Sequence, residues 1–523
     1  MLSLLVRSSI RYSGLIVAIA IVLFMYGGYR FAGAGLDIFP EFAPKQVIIQ
    51  TEASGLSAEQ VEVLISQQIE TSISGLMGLK NLRSQSIQGL SIVIANFAEN
   101  SDIYRNRQLV SERLARIGPH LPAGIGVPVV VPLSSSSATV LTLGLDSEQQ
   151  SLMQLRSLVD WTLVPRLMAI NGVADVNVFG GDVQQLQIQF RPDVLRRFDL
   201  NLDEVIDAAT AAGQLSGAGF IEDSNQRFTV QVSGMPLTPE QFRKIVVKQH
   251  QGSSVTLGDV ATIEYGAEPP ISAAQIMGKA GVVMMVIGQY GANTLSVSRQ
   301  VETILQEFAP IFEQQGIHFH SHLFRPADYI ETSVGNLSSH LLLGGFFVLL
   351  ILYLFLYNFR SALIAALAIP LSLMTAVLVL LEYGVNLNIM VLGGLAIALG
   401  EVVDDAIIDT ENIFRRLREN QVLEQPLPLN TVIYRASLEV RSSVVYASFI
   451  VALVFVPLLT LDGVAGRLFA PLGYSYILAI LMSLLVALTL TPALCHLLLP
   501  EHLADDIDPP MVRWLKPRYA KSL

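Results

Sequence analysis

Six apolar segments of membrane length set the outline of this chain. One lies at about 14–31, and five follow a polar region of roughly 300 residues, at about 341–357, 362–381, 388–414, 444–459 and 473–498. About 20 apolar residues can cross a bilayer as a helix. Charged residues make up only 15% of the chain, against about 25% in soluble domains. We therefore expect a membrane protein with one large water-exposed part.

The first apolar segment has two interpretations. Arg7 and Arg11 precede it, as basic residues precede the apolar part of a signal peptide. Its apolar run is long, however, and residues 32–35 form only a weak cleavage signal. These two features favour a retained membrane anchor.

The distribution of basic residues predicts the orientation. Short loops on one side of the six segments carry nearly all the arginines and lysines, whereas the opposite short loops hold only Arg467. Because short loops rich in Lys and Arg stay in the cytoplasm, both termini are expected there. The chain is then a multi-pass protein of a bacterial inner membrane, with the large polar region in the periplasm.

The polar region contains an internal repeat. Residues 46–132 follow the order strand, helix, strand, strand, helix, strand, which is typical of a ferredoxin-like βαββαβ unit. A second copy begins near residue 139 and resumes near 281, after an insertion.

The predicted fold class is an α-helical membrane domain of six transmembrane helices plus an α+β periplasmic domain of ferredoxin-like repeats. The predicted divisions are a cytoplasmic start and helix 1 (1–32), a first repeat (33–133), a second repeat (134–180 and 266–330), an inserted subdomain (181–265), helices 2–6 (331–498) and a cytoplasmic tail (499–523).

The fourth apolar segment is unusual because it carries acids. It reads VLGGLAIALGEVVDDAIIDTENIF, and its five carboxylates are Glu401, Asp404, Asp405, Asp409 and Glu411. A charge at the bilayer centre costs at least ~2.5–3.5 kcal/mol, so intramembrane acids are rare unless they have a function. At about 100° per residue, the five fall within an arc of roughly 160° on one helix face. We interpret this face as a proton- or cation-handling site.

Each acid also has a simpler interpretation. Asp409 and Glu411 lie nearest the cytoplasm, where interfacial water and pairing with Arg415 and Arg416 would satisfy them. Glu401, one turn deeper, is either an added relay or cation contact or a satisfied interhelical hydrogen bond. No basic residue is expected within the six segments, so the acids are expected to lack a cationic partner in this chain.

A second candidate site is the run HFHSH. His318, His320 and His322 alternate with other residues, so in a strand all three imidazoles point to one face. Three such histidines could bind Zn²⁺ or Cu²⁺. The alternative is a polar sheet face above a buried one. Met284 and Met285, whose thioethers could serve as soft-metal ligands, are expected in an apolar core instead.

Three segments resemble the resistance–nodulation–division (RND) efflux permeases. They are YLFLYNFRSALIAALAIPLSLMTA, GGLAIALGEVVDDAIIDTENIFRR and FVPLLTLDGVAGRLFAPLGYSYILAILMSLLVALTLTPAL, and the similarity covers essentially the whole chain. The opening FPEFAPKQVIIQTEASGLSAEQVE and the short loop after Ala212 resemble the heavy-metal branch. The resemblance implies a transporter, not an enzyme, and one without a cofactor. It also implies that the two repeats are porter subdomains and the insertion is a docking subdomain.

The resemblance also assigns roles to the acids. Asp404 and Asp405 match the family's intramembrane proton-relay acids, and Glu411 matches the second acid of the metal-pump pattern DxxxxxxE. Glu401 is added as a candidate member. Two neighbouring carboxylates with little water cannot both stay charged, so one holds a proton near neutral pH. Each proton that moves down the membrane potential supplies about 2.3 kcal/mol per 100 mV.

The implied function is proton-motive-force-driven efflux of heavy-metal cations. Typical family pumps contain two such halves, so the expected partners are a C-terminal half of the permease on another chain, further copies in a homotrimer, a periplasmic adaptor and an outer-membrane channel. The net charge of −11 argues against nucleic acid. The alternatives are a pump half for drugs or other organic substrates, a truncated non-transporting remnant, or two copies that pair with each other.

Overall fold

The computed structural model describes residues 2–122, 124–213, 220–223, 226–229, 238–250, 253–356 and 358–499. The predicted cytoplasmic tail therefore lies almost wholly outside the described residues, as does most of the short loop after Ala212. The chain begins with helices α1 (Leu2–Arg11) and α2 (Ser13–Ala32). A short strand, β1 (Leu36–Asp37), leads into the polar region.

The first part of the polar region is a four-stranded sheet with helices packed on it. Buried positions alternate along its two central strands, so one face is buried; Ile49, Val93 and Val110 lie in this core. The elements in chain order are β2 (Gln46–Glu52), α3 (Ala58–Val61), a π-helical turn (Glu62–Ser66), α4 (Gln67–Ile73), β3 (Leu79–Ile87), β4 (Leu90–Phe97), α5 (Ile103–Ile117), a 3₁₀ turn (Gly118–His120) and β5 (Val129–Val130). The neighbouring strands are all antiparallel, in the order β3-β4-β2-β5.

A second four-stranded sheet starts next and is interrupted by an insertion. Its first elements are β6 (Ser134–Ser147), α6 (Leu152–Leu158), a π-helical turn (Val159–Leu163), α7 (Val164–Met168) and β7 (Val173–Gly180). The insertion has its own small core around Leu257 and Ile263. Its described elements are β8 (Gln184–Phe190), α8 (Pro192–Arg197), α9 (Leu202–Gly213), β9 (Phe220–Asp223), β10 (Gln226–Thr229), α10 (Pro239–Arg243), β11 (Val246–His250), β12 (Ser253–Thr256), α11 (Leu257–Val260) and β13 (Ala261–Ala267).

After the insertion comes a separate two-stranded hairpin of β14 (Gln275–Ile276) and β15 (Lys279–Ala280). The next elements are β16 (Val282–Gln289), α12 (Thr294–Gln314) and β17 (Ile317–Phe324), and the strands β16 and β17 complete the second sheet. The four strands of the second sheet are antiparallel in the order β17-β6-β16-β7. β16, which follows the insertion, therefore pairs between β6 and β7, which precede it. Met284 is wholly buried in this core, as the sequence predicts, whereas Met285 is only partly buried and lies outside the core. The predicted domain boundaries and the strict equivalence of the two repeats stay predictions.

The remaining elements form a bundle of long helices. They are α13 (Pro326–Leu356), α14 (Phe359–Glu382), a short strand β18 (Leu387–Asn388), α15 (Ile389–Gln421), α16 (Leu429–Glu439), α17 (Arg441–Leu459) and α18 (Gly463–Leu498). β18 pairs in parallel with β1, which ties the loop before α15 to the start of the polar region.

The helices agree with the coarse prediction of a membrane domain. In the described part of the chain, five stretches are long and apolar enough to cross a bilayer: Ser13–Ala32, Pro326–Ile351, Phe359–Glu382, Leu429–Leu459 and Gly463–Leu498. The remaining predicted span, the fourth apolar segment, corresponds to α15, which has the length but carries the acids. The membrane orientation and the location of the termini stay predictions.

Candidate functional site

Helix α15 packs against α14 and α18 of the bundle. Asn388 caps its start, because the Asn388 carboxamide oxygen accepts a hydrogen bond from the Val391 backbone N–H at 3.0 Å. Small residues allow close packing: a Cβ atom at Gly394 would collide with the Leu472 carbonyl and the Ser475 hydroxyl of α18. This packing holds the acidic part of α15 between neighbouring helices.

Two of the five acids lie inside the bundle. Asp405 is only 5% exposed, and the Ser483 hydroxyl of α18 donates a hydrogen bond to its Oδ2 at 3.0 Å. Asp409, one turn further along the same face, is 1% exposed. Burial of both carboxylates away from water requires hydrogen bonds or counter-charges.

Asp409 has a buried cationic partner that the sequence prediction missed. Nη2 of Arg441, the first residue of α17, lies 2.8 Å from Asp409 Oδ2 and also donates to the Ala487 carbonyl of α18 at 3.1 Å. Arg441 is 2% exposed. The expectation that the acids have no cationic partner in this chain is therefore wrong. Hydropathy places the start of this span at about residue 444 and leaves Arg441 in the preceding loop, whereas the helix begins at Arg441 itself.

The predicted pairing of Asp409 with Arg415 or Arg416 is also wrong. Arg415 donates to the Asn412 side chain at 2.6 Å, and Arg416 pairs with Glu419 and Glu439. Arg415 points about 120° away from Asp409 around the helix, and Arg416 lies nearly two turns beyond it. Sequence proximity therefore did not decide the partners of either arginine.

Asp404 and Glu411 occupy another side of α15, and Glu401 lies between that side and the buried one. Asp404 and Glu411 are exposed on the surface of the described bundle, and Glu401 is partly buried. Asp404 and Glu411 are seven residues apart, nearly two turns, so they point in the same direction. The structure thus brings Asp405 and Asp409 together inside the bundle and Asp404 and Glu411 together outside it. The five acids do not form a single cluster.

The histidine run forms a different arrangement from the predicted three-ligand site. His318 Nδ1 lies 3.0 Å from Asp146 Oδ1, and His320 Nε2 lies 2.6 Å from Asp146 Oδ2. His322 points elsewhere, with its Nε2 at 3.7 Å from Glu302. Among the described residues there is no group of three or more His, Cys, Asp or Glu side chains that could hold a metal ion. Metal binding by the three histidines stays a prediction, without support from this geometry.

The buried Asp146 carboxylate explains why two imidazoles meet there. Burial alone would raise the pKa of Asp146, but the hydrogen bonds and charges of His318 and His320 outweigh burial and lower it. The pair therefore holds an ionised carboxylate at the edge of the second sheet. Sequence alternation correctly placed His318 and His320 on one face, but it gave no sign of Asp146, which is far away in the chain.

An ionic junction lies beside the histidines, where the polar region meets α13. The Arg325 guanidinium is nearly buried and contacts Glu302 of α12, together with Asp328 (2.5 Å) and Glu331 (3.4 Å) of α13. The hydrogen bond with Glu302, followed by that with Asp328, raises the pKa of Arg325 in spite of its burial. This junction, also missed by the sequence analysis, connects the second sheet to a membrane helix.

Comparison with known proteins adds an independent finding. Residues 5–523 match the AcrB/AcrD/AcrF family. The chain is 32% identical to protein HelA of Legionella pneumophila, over 100% of this chain and 50% of HelA. It is 31% identical to the cation efflux system protein CusA of Escherichia coli K12 (98% and 50% covered) and 29% identical to the cobalt-zinc-cadmium resistance protein CzcA of Cupriavidus metallidurans (93% and 47% covered). The chain spans about half the length of these curated relatives.

Proposed function

Since this chain belongs to the AcrB/AcrD/AcrF family of RND efflux permeases and corresponds to their N-terminal half, we propose that it is a proton-driven permease subunit that exports heavy-metal cations. Membership of the family makes it a transporter rather than an enzyme. The cation substrate is supported by the relatives, whose names refer to cation efflux and to cobalt, zinc and cadmium resistance. Identities near 30% support a substrate class rather than one metal.

The arrangement of acids on α15 is the observation that carries the proton-coupling part of the proposal. Asp405 is buried and hydrogen-bonded to a neighbouring helix, so its ionisation is coupled to how α15 and α18 pack. Asp404 is next to it in the chain but faces outward. We assign Asp404 and Asp405 as relay acids, with Glu411 as a third member and Glu401 as an accessory member. A change of charge at such sites favours one helix packing over another, which is the requirement for alternating access.

The outward face of α15 supports a second polypeptide half. Ile397, Gly400, Asp404 and Glu411 form an exposed stripe along a helix that lies in a membrane bundle. Carboxylates that face hydrocarbon are costly, and intramembrane acids therefore face protein or water. We propose that a C-terminal permease half on another chain covers this stripe, and that the assembly is a homotrimer with a periplasmic adaptor and an outer-membrane channel.

The test is resistance to metals in a sensitive host that carries this chain with its candidate C-terminal half. We expect growth in Zn²⁺, Co²⁺, Cd²⁺ or Cu²⁺, and loss of that growth in Asp404→Asn and Asp405→Asn. Glu424→Gln is the matched control, because Glu424 is an exposed carboxylate in the loop after α15. Full resistance in both aspartate variants would exclude the relay assignment. Resistance to dyes or drugs but to none of the metals would exclude the cation substrate.

A further inference from the structure

Three helices of the bundle meet at one buried polar contact. Arg441 of α17 reaches between Asp409 of α15 and the Ala487 carbonyl of α18, at 2.8 and 3.1 Å. The contact lies within the bundle core, where residues close in the chain to Asp409 or Ala487, such as Ala406, Val486 and Leu488, are buried and apolar. A guanidinium and a carboxylate so far from water interact strongly with any other charge nearby, because the surrounding dielectric is low.

This contact leaves polar atoms available for a further interaction. Within the described part of the chain, Asp409 Oδ1 and the Nε and Nη1 atoms of Arg441 are buried and have no hydrogen-bond partner. A guanidinium has five N–H donors in a fixed fork, so Arg441 can serve a second acceptor while it stays paired with Asp409. An acceptor that gains a negative charge would bind these donors most strongly.

Asp405 is the acid placed to act as this acceptor for Arg441. It precedes Asp409 by four residues, about 6 Å along the helix axis, on the same buried face. On α18 its partner Ser483 precedes Ala487 by the same four residues, so the two contacts are stacked one turn apart. We propose that Asp409 and Arg441 form an internal counter-charge site that sets the proton affinity of Asp405. The inference rests on the proposed function only in treating Asp405 as a proton-binding group.

The net charge of this site differs between the two states of Asp405, from zero when Asp405 is protonated to −1 when it is ionised. When Asp405 holds a proton, Arg441 and Asp409 neutralise each other. When Asp405 releases it, two carboxylates share one guanidinium, and the free Nε and Nη1 donors are available to Asp405 directly or through one water. Arg441 favours the ionised form of Asp405, whereas Asp409 favours the protonated form. Arg441 and Asp409 together therefore set how readily Asp405 ionises, and neither residue needs to carry the proton.

Among the residues that the structure describes, few other charged groups lie near Asp405. Glu401 precedes it by one turn on α15, partly buried, and Asp404 is its exposed neighbour. On the packed helices the remaining titratable groups are near the ends or on other turns: Asp328, Tyr329, Glu331, His340 and Tyr353 of α13, Arg360 and Glu382 of α14, Tyr434, Arg435 and Glu439 of α16, Tyr446 of α17, and Arg467, Tyr474, Tyr476, Cys495 and His496 of α18. Asp409 and Arg441 are the charged pair next to Asp405 on its buried side.

The test is an infrared titration of the purified full chain in lipid nanodiscs. The protonated carboxyl band of Asp405 is identified by its loss in Asp405→Asn. Removal of one charge at about 7 Å at an effective dielectric constant near 20 corresponds to about one to two pH units. We expect the Asp405 midpoint to rise by about that amount in Arg441→Gln and to fall in Asp409→Asn. The control is Arg360→Gln, because Arg360 is an exposed cation in the first turn of α14. This substitution should leave the Asp405 midpoint unchanged.

A second measurement needs no change at the ion pair. With ¹⁵N-labelled arginine, titration of Asp405 in the wild type should shift a guanidinium band, and Asp405→Asn should abolish that shift, because coupling between two sites is reciprocal. This measurement still tests the inference if Arg441→Gln and Asp409→Asn do not fold. Equal midpoints in the folded variants, or no guanidinium response in the wild type, would overturn the inference. Neither result depends on metal transport, so the proposed function is tested separately by the resistance assay.

Discussion

Asp404 and Asp405 are neighbours in the chain but occupy opposite environments: Asp404 is exposed on the bundle surface, whereas Asp405 is buried and bonded to Ser483. Consecutive residues in a helix differ in direction by about 100°. The family resemblance treats the two aspartates as one pair. In this chain Asp405 lies inside the bundle, whereas Asp404 lies on the exposed surface that we propose is covered by a second permease half.

This division predicts thiol labelling of α15. In a Cys495→Ala background, which removes the chain's one cysteine, Asp404→Cys should react with maleimide in detergent-solubilised protein. Ala406→Cys, at a buried position, should not. Co-purification with the C-terminal half should protect Asp404→Cys. Equal reactivity at positions 404 and 406, or no protection by the second half, would contradict the exposed-stripe assignment.

Close packing between α15 and α18 predicts a contrast between two adjacent glycines. Gly394→Ala should lower the free energy of unfolding by about 1–3 kcal/mol, because its Cβ meets the Leu472 carbonyl and the Ser475 hydroxyl. A Cβ added at Gly393 would have no atom of another residue within 4 Å, so Gly393→Ala should be neutral or stabilise the helix by up to about 1 kcal/mol. Thermal unfolding in detergent measures both variants. A loss of stability in Gly393→Ala equal to that in Gly394→Ala would rule out this packing.

The histidine pair on Asp146 predicts a pH-dependent contribution to stability. Burial opposes ionisation of Asp146, but His318 and His320 lower its pKa below the usual 3.8. A group with a lowered folded-state pKa stabilises the folded protein above its unfolded pKa, and the contribution is lost as the pH falls through the folded value. Asp146→Asn should therefore lower the melting temperature at pH 7 and at pH 5, with a smaller difference from wild type below pH 3.

Glu148→Gln is the control for Asp146, because Glu148 pairs with Lys279 at the exposed surface. It should have no measurable effect at pH 7. The Asp146 prediction fails if Asp146→Asn melts at the wild-type temperature at pH 7, or if the difference persists unchanged at the lowest pH.

The Arg325 junction predicts unequal effects of two nearby arginines. Arg325 is 8% exposed at its side chain and contacts Glu302, Asp328 and Glu331, so Arg325→Met should destabilise the chain by about 1–3 kcal/mol. Arg299 also pairs with Glu331, at 3.1 Å, but its side chain is 63% exposed. Arg299→Met should therefore cost no more than about 1 kcal/mol. Calorimetry on the full chain separates the two, and equal losses would mean that burial does not strengthen the Arg325 contacts.

Much of this architecture was predictable because its causes are local. Apolar runs of bilayer length predicted the membrane helices, and alternating apolar residues predicted the strands around Ile49 and Met284. The VDDAI segment gave the family and the acids of interest. Each of these signals depends on residues close together in the chain, so they can be read without knowledge of the packing.

Two contacts that the sequence analysis missed join residues distant in the chain. Asp409 and Arg441 are 32 residues apart, and His318 meets an aspartate 172 residues earlier. Helical spacing indicated Arg415 as a neighbour of the acids, but the direction of its side chain gives it Asn412 instead. A local pattern gives the position of a side chain on its own element and leaves its neighbours on other elements undetermined.

The sequence by itself determined that α15 is a membrane-length helix with five acids, because length, hydropathy and charge are properties of one segment. Only the tertiary structure decided that Asp405 and Asp409 are buried, that Arg441 neutralises Asp409, and that Asp404 and Glu411 face outward. The physical reason is that burial and pairing depend on which helices pack against each side of α15. Those contacts form between segments whose order in the chain does not specify their relative rotation.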